Sequence, residues 1–387
     1  MSARRYRGRK RRQRLLLLFA ALVVIAGAVI AAILHNNKQD SGVLPTPPEQ
    51  ADPAGDDRPD NTDPVDGEGN TGSDETPVTE AYDRIELQGD QQQYDAVYRV
   101  GNTGYEMYTY VPDVARRYAE AVTATANELS GTAAVYALAV PLSSGITLPD
   151  ELTDMAIFGN QQRAEEDLDA MMGESVRFVP LYDALMRHRT EYVYYRTDHH
   201  WTGLGAYYAY RQFCQAKGIA PHELTDYAVK DFPGFLGSFY NDTNSYPGMK
   251  DNPDTVTAYY PIAEAPMTVT DQKGNTTTFP SAICDESTAP AAYKYGAYIY
   301  GDNTFTVLRN QSLQDGSCCL VVKESFGNAF VPFLADHYQT VYVADYRYWS
   351  GSIKAFVREN GVQDVLFINN LSAVRNGYLI GKLQGIA

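Results

Sequence analysis

Hydrophobic positions along this chain fall into three regimes. The first is one block, Leu15 to Leu34, made of 20 uncharged and almost wholly apolar residues. As a helix rising 1.5 Å per residue it would be about 30 Å long, the thickness of a bilayer's hydrocarbon core. The second regime, residues 35–82, has few large apolar side chains and is rich in Pro, Gly, Asp, Glu, Thr and Asn. Such a segment cannot bury enough surface to offset its ordering entropy and is expected to be a disordered, acidic stalk. The third regime, residues 83–387, alternates apolar runs with helical periodicity, as a folded domain does.

Within that domain the pattern predicts specific elements. Residues 103–110 suit a short hairpin element. Apolar positions recurring at three and four predict a helix from Val111 to Leu129. Ala133 to Val140 reads as a buried strand ending at Pro141, and Val176 to Val179 as a second. Helices are expected at Gln161 to Met172, Leu181 to Arg189 and Leu204 to Lys217, the last stopped by Gly218. Residues 234–315 are short-segmented and rich in turn residues, which suggests an irregular β-rich insertion. The last seventy residues alternate strictly. Strands at Cys318–Lys323, Thr340–Ala344 and Asp364–Asn369 flank helices at Asn328–His337 and Ser350–Asn360. Strand–helix alternation at this spacing predicts parallel βαβ units with right-handed crossovers, hence an α/β fold with a doubly wound parallel sheet. Active sites in such sheets sit at the carboxyl ends of strands.

Charge refines the picture. The formal net charge is −16, yet the first 14 residues hold seven Arg, one Lys and no acid, which leaves −24 for the remainder. The basic block before the apolar run predicts a cytoplasmic tail (1–14), a single-pass anchor (15–34) and everything beyond outside the cell membrane. The apolar run is longer than the core of a cleaved signal peptide, and no clean A-x-A site follows it. An acidic body argues against nucleic-acid binding, which needs basic surface to neutralise phosphates. Four cysteines, Cys214, Cys284, Cys318 and Cys319, fit no zinc spacing and are expected to behave as small apolar residues. The 30 tyrosines suit either a tyrosine-using core and surface or a carbohydrate cleft, where a ring face covers a sugar's C–H face.

The sharpest candidate chemistry lies in Asp198-His199-His200-Trp201. If the segment is extended, Asp198 and His200 share one face, and a carboxylate beside an imidazole fixes its tautomer and stabilises its protonated form. His, His and Asp are also metal ligands, but in a strand His199 and His200 would point apart, so no metal is expected. His199 is read as a structural hydrogen bonder, and Trp201 as a wall under the site or a sugar-stacking ring. A nucleophile candidate, Ser325, follows the strand Cys318–Lys323 where the chain turns into a helix. There backbone N–H groups could stabilise an oxyanion, with Asn328 as a cap or donor. The competing view is that Ser325 is only a helix cap.

The run Thr197-Asp198-His199-His200-Trp201-Thr202, followed by Gly203 and Tyr207, resembles the signature of the DHHW proteins of Gram-positive cell surfaces. So does the run from Val321 through Glu324-Ser325-Phe326-Gly327-Asn328 to Leu334, with Asp345-Tyr346-Arg347-Tyr348 after it. That family is similar in turn to the SGNH-hydrolase-like proteins of alginate O-acetylation, whose fold is flavodoxin-like. The resemblance implies Asp198 as orienting acid, His200 as base and Ser325 as nucleophile. Glu324 departs from the Asp that many of these proteins carry there. Asn303 and Asn369 join Asn328 as oxyanion candidates, and Trp201, Arg347 and Tyr348 as substrate-binding candidates. The expected function is a serine-dependent O-acetyltransferase or O-acetylesterase acting on a cell-envelope or exported polysaccharide, with no cofactor. A transferase would need a membrane acyltransferase partner that exports acetyl groups. The contrasting expectation is a non-catalytic surface module that binds polysaccharide and keeps a relic triad.

Overall fold

The computed structural model describes residues 82–387. The expected tail, membrane anchor and nearly all of the stalk lie outside them. Among the described residues no helix is long and apolar enough to cross a membrane.

Three short strands come first: β1 (Gln91–Gln93), β2 (Val97–Val100) and β3 (Thr103–Glu106), forming a small antiparallel sheet. The main architecture is built on β4 (Ala134–Val140), β5 (Val176–Val179), β6 (Ala228–Phe235), β7 (Asp254–Tyr260), β8 (Met267–Thr270), β9 (Thr276–Phe279), β10 (Phe305–Arg309), β11 (Cys318–Lys323), β12 (Thr340–Asp345) and β13 (Asp364–Asn370). Eight of these make one sheet in the order β5-β4-β13-β11-β12-β10-β8-β9. From β5 to β12 all neighbours are parallel. Beyond β12 the pairing is antiparallel. The sheet is therefore mixed, and the expected all-parallel sheet is its first five strands.

Four of these, β4, β11, β12 and β13, are legible as apolar runs because both faces are covered, whereas β5 at the edge exposes Arg177. Along β4, Tyr136, Leu138 and Val140 face one core while Val135, Ala137 and Ala139 face the other. Cys319 and Val321 of β11 join the first core, and Cys318, Leu320 and Val322 the second. Helices Gly203–Lys217 and Gly327–Leu334 cover the first face, and Pro112–Glu128, Gln161–Met171, Ile353–Asn360 and Gly377–Gln384 the second. All four cysteines are buried free thiols packed as small apolar groups.

The helix ends follow local chemistry. Pro112 opens its helix at N1, where its missing N–H costs no bond. Gly218 ends Gly203–Lys217 in the left-handed region, at φ 79°. The helix expected from Ser350 begins at Ile353, because Ser352 takes the cap position and accepts from the Ala355 N–H. The helix expected over 181–189 is only Tyr182–Met186.

The region 234–315 is not a separate insertion. Its strands β8 and β10 extend the main sheet, β9 forms its edge, and β7 pairs with β6 as a two-stranded ribbon. Leu320 sits fully buried at the centre of β11, between β12 and β13. Leu320→Ala is expected to lower unfolding free energy by about 2–5 kcal/mol. The measurement is a urea midpoint that falls with an unchanged m-value.

Candidate active site

The carboxyl ends of β11, β12 and β13 form one polar rim. After β11 the chain makes a tight turn, with Gly327 N–H donating to the Glu324 carbonyl at 3.0 Å, before entering the helix Gly327–Leu334. Gly327 is required there, since a Cβ would lie 2.6 Å from that of Lys323. Ser325 stands on this turn. It is not a cap: the N-cap position belongs to Phe326, and no side chain caps this helix. The Ser325 Oγ instead lies 2.7 Å from His200 Nε2.

His200 comes from a different part of the chain, and its segment is not extended. Residues 194–201 form a tight loop closed by a bridge between Tyr194 and Trp201 and by the Tyr195 N–H donating to the His200 carbonyl at 3.2 Å. Asp198 serves this loop twice. Its Oδ1 accepts from the His200 backbone N–H at 3.0 Å and stands 2.6 Å from His200 Nδ1. Its Oδ2 accepts from the Ser238 N–H at 2.8 Å. The carboxylate and imidazole therefore meet because of a side-chain-capped turn, not because i and i+2 share a strand face.

Electrostatics fixes the proton positions. Burial pushes the Asp198 carboxyl up, but His199, His200 and the donated hydrogen bonds outweigh it and hold the group well below the usual carboxylate range. An ionised Asp198 can only accept, so Nδ1 of His200 carries the proton. Nε2 is then free to accept from the Ser325 hydroxyl. Asp198, His200 and Ser325 thus form an unbroken hydrogen-bonded chain, the arrangement an acid, base and nucleophile would need.

Several residues hold this geometry; Tyr295 and Asp254 were not singled out from sequence, whereas Trp201 was read as a wall under the site and Glu324 was left without a role. Tyr295 stacks on the His200 ring at 4.0 Å and 15°, and its hydroxyl donates to the Ser325 carbonyl at 3.1 Å. Trp201 is fully buried beneath the site and donates through Nε1 to the Phe326 carbonyl at 2.9 Å, so it has no face for a sugar. Asp254 at the start of β7 is fully buried and accepts from the Thr197 N–H and Oγ1, both at 2.7 Å, and from the Tyr192 hydroxyl. Glu324, whose role the sequence left open, is buried and braces the turn. It accepts from the Phe326 N–H at 3.1 Å and the Asn370 N–H at 2.9 Å. Burial raises its pKa, partly offset by Arg347 and these donors.

A buried ion cluster underlies the same rim. Lys323 reaches Asp345 at 2.9 Å and Asp302 at 3.5 Å, and Arg347 reaches Asp345 at 2.6 Å and Asp302 at 2.9 Å. Burial raises the Asp302 carboxyl, but Lys323, Arg347 and Asn328 prevail and bring it down to about 2. Two cations thus neutralise two anions where neither pair alone would be well solvated.

The candidates for oxyanion and substrate contacts divide. Asn303 spends its amide on the carbonyls of Ile299 and Tyr300, bracing a loop. Asn369 is one residue out of phase with the site: it faces the second core and its amide donates to Tyr118 at 3.3 Å. Asn328 lines the cleft with its amide donated to Asp302 at 3.0 Å. The Ser325 N–H has no acceptor among the described residues, which leaves it available as an oxyanion donor. Arg347 lines the cleft, while Tyr348 is not among its lining residues.

Asp198, His199 and His200 present ligand atoms within 4.8 Å of one another, because the loop sets the two rings side by side, 3.9 Å between centroids, instead of pointing them apart. Both His200 nitrogens are already engaged, by Asp198 and Ser325, and His199 Nδ1 meets Ser238 Oγ at 2.7 Å. A cation would have to break the acid–base–nucleophile chain to bind. The surrounding cleft, about 770 Å³, is rimmed by Tyr293 and Tyr300, which are exposed, and floored by His200, Tyr295 and Ser325.

The structure thus sets a Ser–His–Asp hydrogen-bonded chain at the carboxyl edge of a mixed α/β sheet. The family model described as DHHW protein matches residues 63–344, and the chain belongs to that family. A DHHW family protein from Eubacterium siraeum DSM 15702 is similar in structure, with a TM-score of 0.69 and 27% identity over 76% of this chain and 96% of that one. Bacillus cereus PatB1 gives a TM-score of 0.61 with 19% identity, covering 76% of this chain and 99% of that one. A PatB1 structure with a sulfonyl adduct gives 0.60 and 17%, over 73% and 98%. The O-acetyltransferase domain of Pseudomonas putida AlgJ matches more weakly, at 0.38 and 13%, over 77% and 99%. No curated protein matches.

Gly237 supplies a test of the geometry. A Cβ there would overlap the Asp198 carboxylate. Gly237→Ala is expected to leave the domain folded while lowering serine reactivity about a hundredfold, the scale of a 1 Å misplacement. The checks are circular dichroism for the fold and the labelling rate of Ser325 by a fluorophosphonate.

Proposed function

We propose that this protein is a membrane-anchored, extracytoplasmic serine enzyme that moves O-acyl groups on a cell-envelope or exported polysaccharide. The observation that carries this reading is the continuous chain from Asp198 through His200 to Ser325, at 2.6 and 2.7 Å. Family membership supports it, as does the overall likeness to PatB1, a fold-level similarity.

The mechanism follows from the atoms. Ser325 Oγ bonds to the ester's carbonyl carbon while its proton passes to His200 Nε2. The carbonyl oxygen becomes an oxyanion facing the Ser325 N–H. The intermediate collapses, the C–O bond to the alcohol breaks, and His200 returns the proton to the departing oxygen. An acyl-serine remains. A second hydroxyl then gives its proton to His200 and attacks the acyl carbon, regenerating Ser325. If that hydroxyl is a sugar's, the reaction is transfer; if it is water, hydrolysis. Asp198 stays ionised throughout and stabilises the imidazolium.

The exposed rings of Tyr293 and Tyr300 beside the cleft offer faces on which a glycan can lie. In this reading the membrane anchor is the apolar run 15–34, which follows the basic block that the positive-inside rule assigns to the cytoplasm. Outside the cell acetyl-CoA is absent, so transfer calls for a membrane partner that exports acetyl groups.

The test uses the purified full chain with a chromogenic acetyl ester, read by turnover and by intact mass. Wild type is expected to turn over and to carry an acetyl adduct on Ser325. Ser325→Ala should lose both, and Asp198→Asn should lose about four orders of magnitude in kcat. Turnover that survives in Ser325→Ala would overturn the assignment.

A further inference from the structure

Ser325 stands at the junction of two clefts. The larger, about 770 Å³, was described above. The second, about 420 Å³, opens on the other side of the nucleophile. Ser325, His199 and Arg347 line both, whereas His200 lines only the larger. That asymmetry has chemical content.

In acyl transfer through an acyl-serine, the groups that exchange protons with the base are the alcohols. The leaving alcohol takes a proton from His200, and the incoming one gives a proton to it. Each must therefore come within hydrogen-bond reach of Nε2. Both alcohols then belong on the His200 side, in the larger cleft. The acyl substituent is bonded to the same carbonyl carbon but extends away from the leaving oxygen. The smaller cleft is the space beside Ser325 that His200 does not line.

The walls of that cleft state what it would accept. Ala96, Val97, Phe239 and Leu379 supply apolar surface. Glu106, Asp242 and Glu324 place carboxyl groups on the same walls, and the guanidinium that lines this cleft, Arg347, is already paired with Asp345 and Asp302. Glu106 is held by Ser372 and lies 3.4 Å from Arg375. The volume far exceeds an acetyl methyl, which is on the order of the ~30 Å³ share of one water molecule. We infer that the smaller cleft is the acyl compartment, built for uncharged acyl chains longer than acetyl and closed to acyl groups that carry a carboxylate. This inference rests on the acyl-ester reading of Ser325.

The experiment compares p-nitrophenyl acetate, butyrate and hemisuccinate on the full chain, with Ser325 acylation followed by intact mass. Butyrate is expected to match or exceed acetate in kcat/KM, and hemisuccinate to fall about tenfold or more below it. Ala96 is exposed in the turn between β1 and β2, so enlarging it leaves the core intact. Ala96→Trp should reduce butyrate about tenfold while acetate stays within about twofold. Asp242→Asn should narrow the gap between hemisuccinate and butyrate. Equal loss of acetate and butyrate in Ala96→Trp would overturn the inference, as would a change of chain-length preference on Tyr300→Ala in the larger cleft. Absence of any acyl-serine with all three esters would overturn the parent reading, and this inference with it. Normal acetyl turnover without chain-length effects would overturn this inference alone.

Discussion

Everything at this site depends on how ionised groups are buried at the edge of a sheet whose two faces are apolar. A charge taken out of water is tolerated only when its hydrogen-bonding capacity is met within the protein. Asp198 receives three donors, from the His200 backbone, the His200 ring and Ser238. Asp254 receives the amides and hydroxyl that set the course of the 194–201 loop. Asp345 and Asp302 share Lys323 and Arg347. These demands cannot be met by neighbours in sequence. They recruit Ser238, β7 and the 302 loop to the rim, and that recruitment gives the site its shape.

The parallel half of the sheet was legible from sequence because burial on both faces leaves an uninterrupted apolar run. β4, β11, β12 and β13 read that way, while β5 is an edge strand with Arg177 exposed; the predicted ends of all five agree with the structure to within about a residue. The antiparallel half was not. β9 is Thr276-Thr277-Thr278-Phe279 with exposed residues, and β8 alternates buried with half-buried positions. Such strands carry no local sign of which neighbour they pair with, so a continuation of the main sheet resembled an insertion.

The candidate site divides along the same line. Asp198, His200 and Ser325 could be selected from residue type and position, because a carboxylate two residues from an imidazole and a serine after a buried strand carry chemistry locally. Tyr295, Ser238, Asp254 and Asp302 could not, since each acts on a group far away in sequence. Asn369 shows a subtler failure. It lies at the right end of the right strand, but the two-residue period of the strand turns it to the opposite face, toward Tyr118. The position of an element was readable, while the direction of one side chain needed the register.

The bonds from Trp201 and Tyr295 to consecutive carbonyls of Phe326 and Ser325 have a dynamic meaning. One donor, Trp201, directly follows His200 in the chain and the other, Tyr295, stacks on its ring, so two successive carbonyls of the serine turn are fastened to the surroundings of His200. Thermal motion of the histidine loop must carry the serine turn with it. His200 and Ser325 are thereby tied together by bonds beyond their own contact. A hydrogen-exchange experiment would see this as a single opening unit spanning two segments remote in sequence.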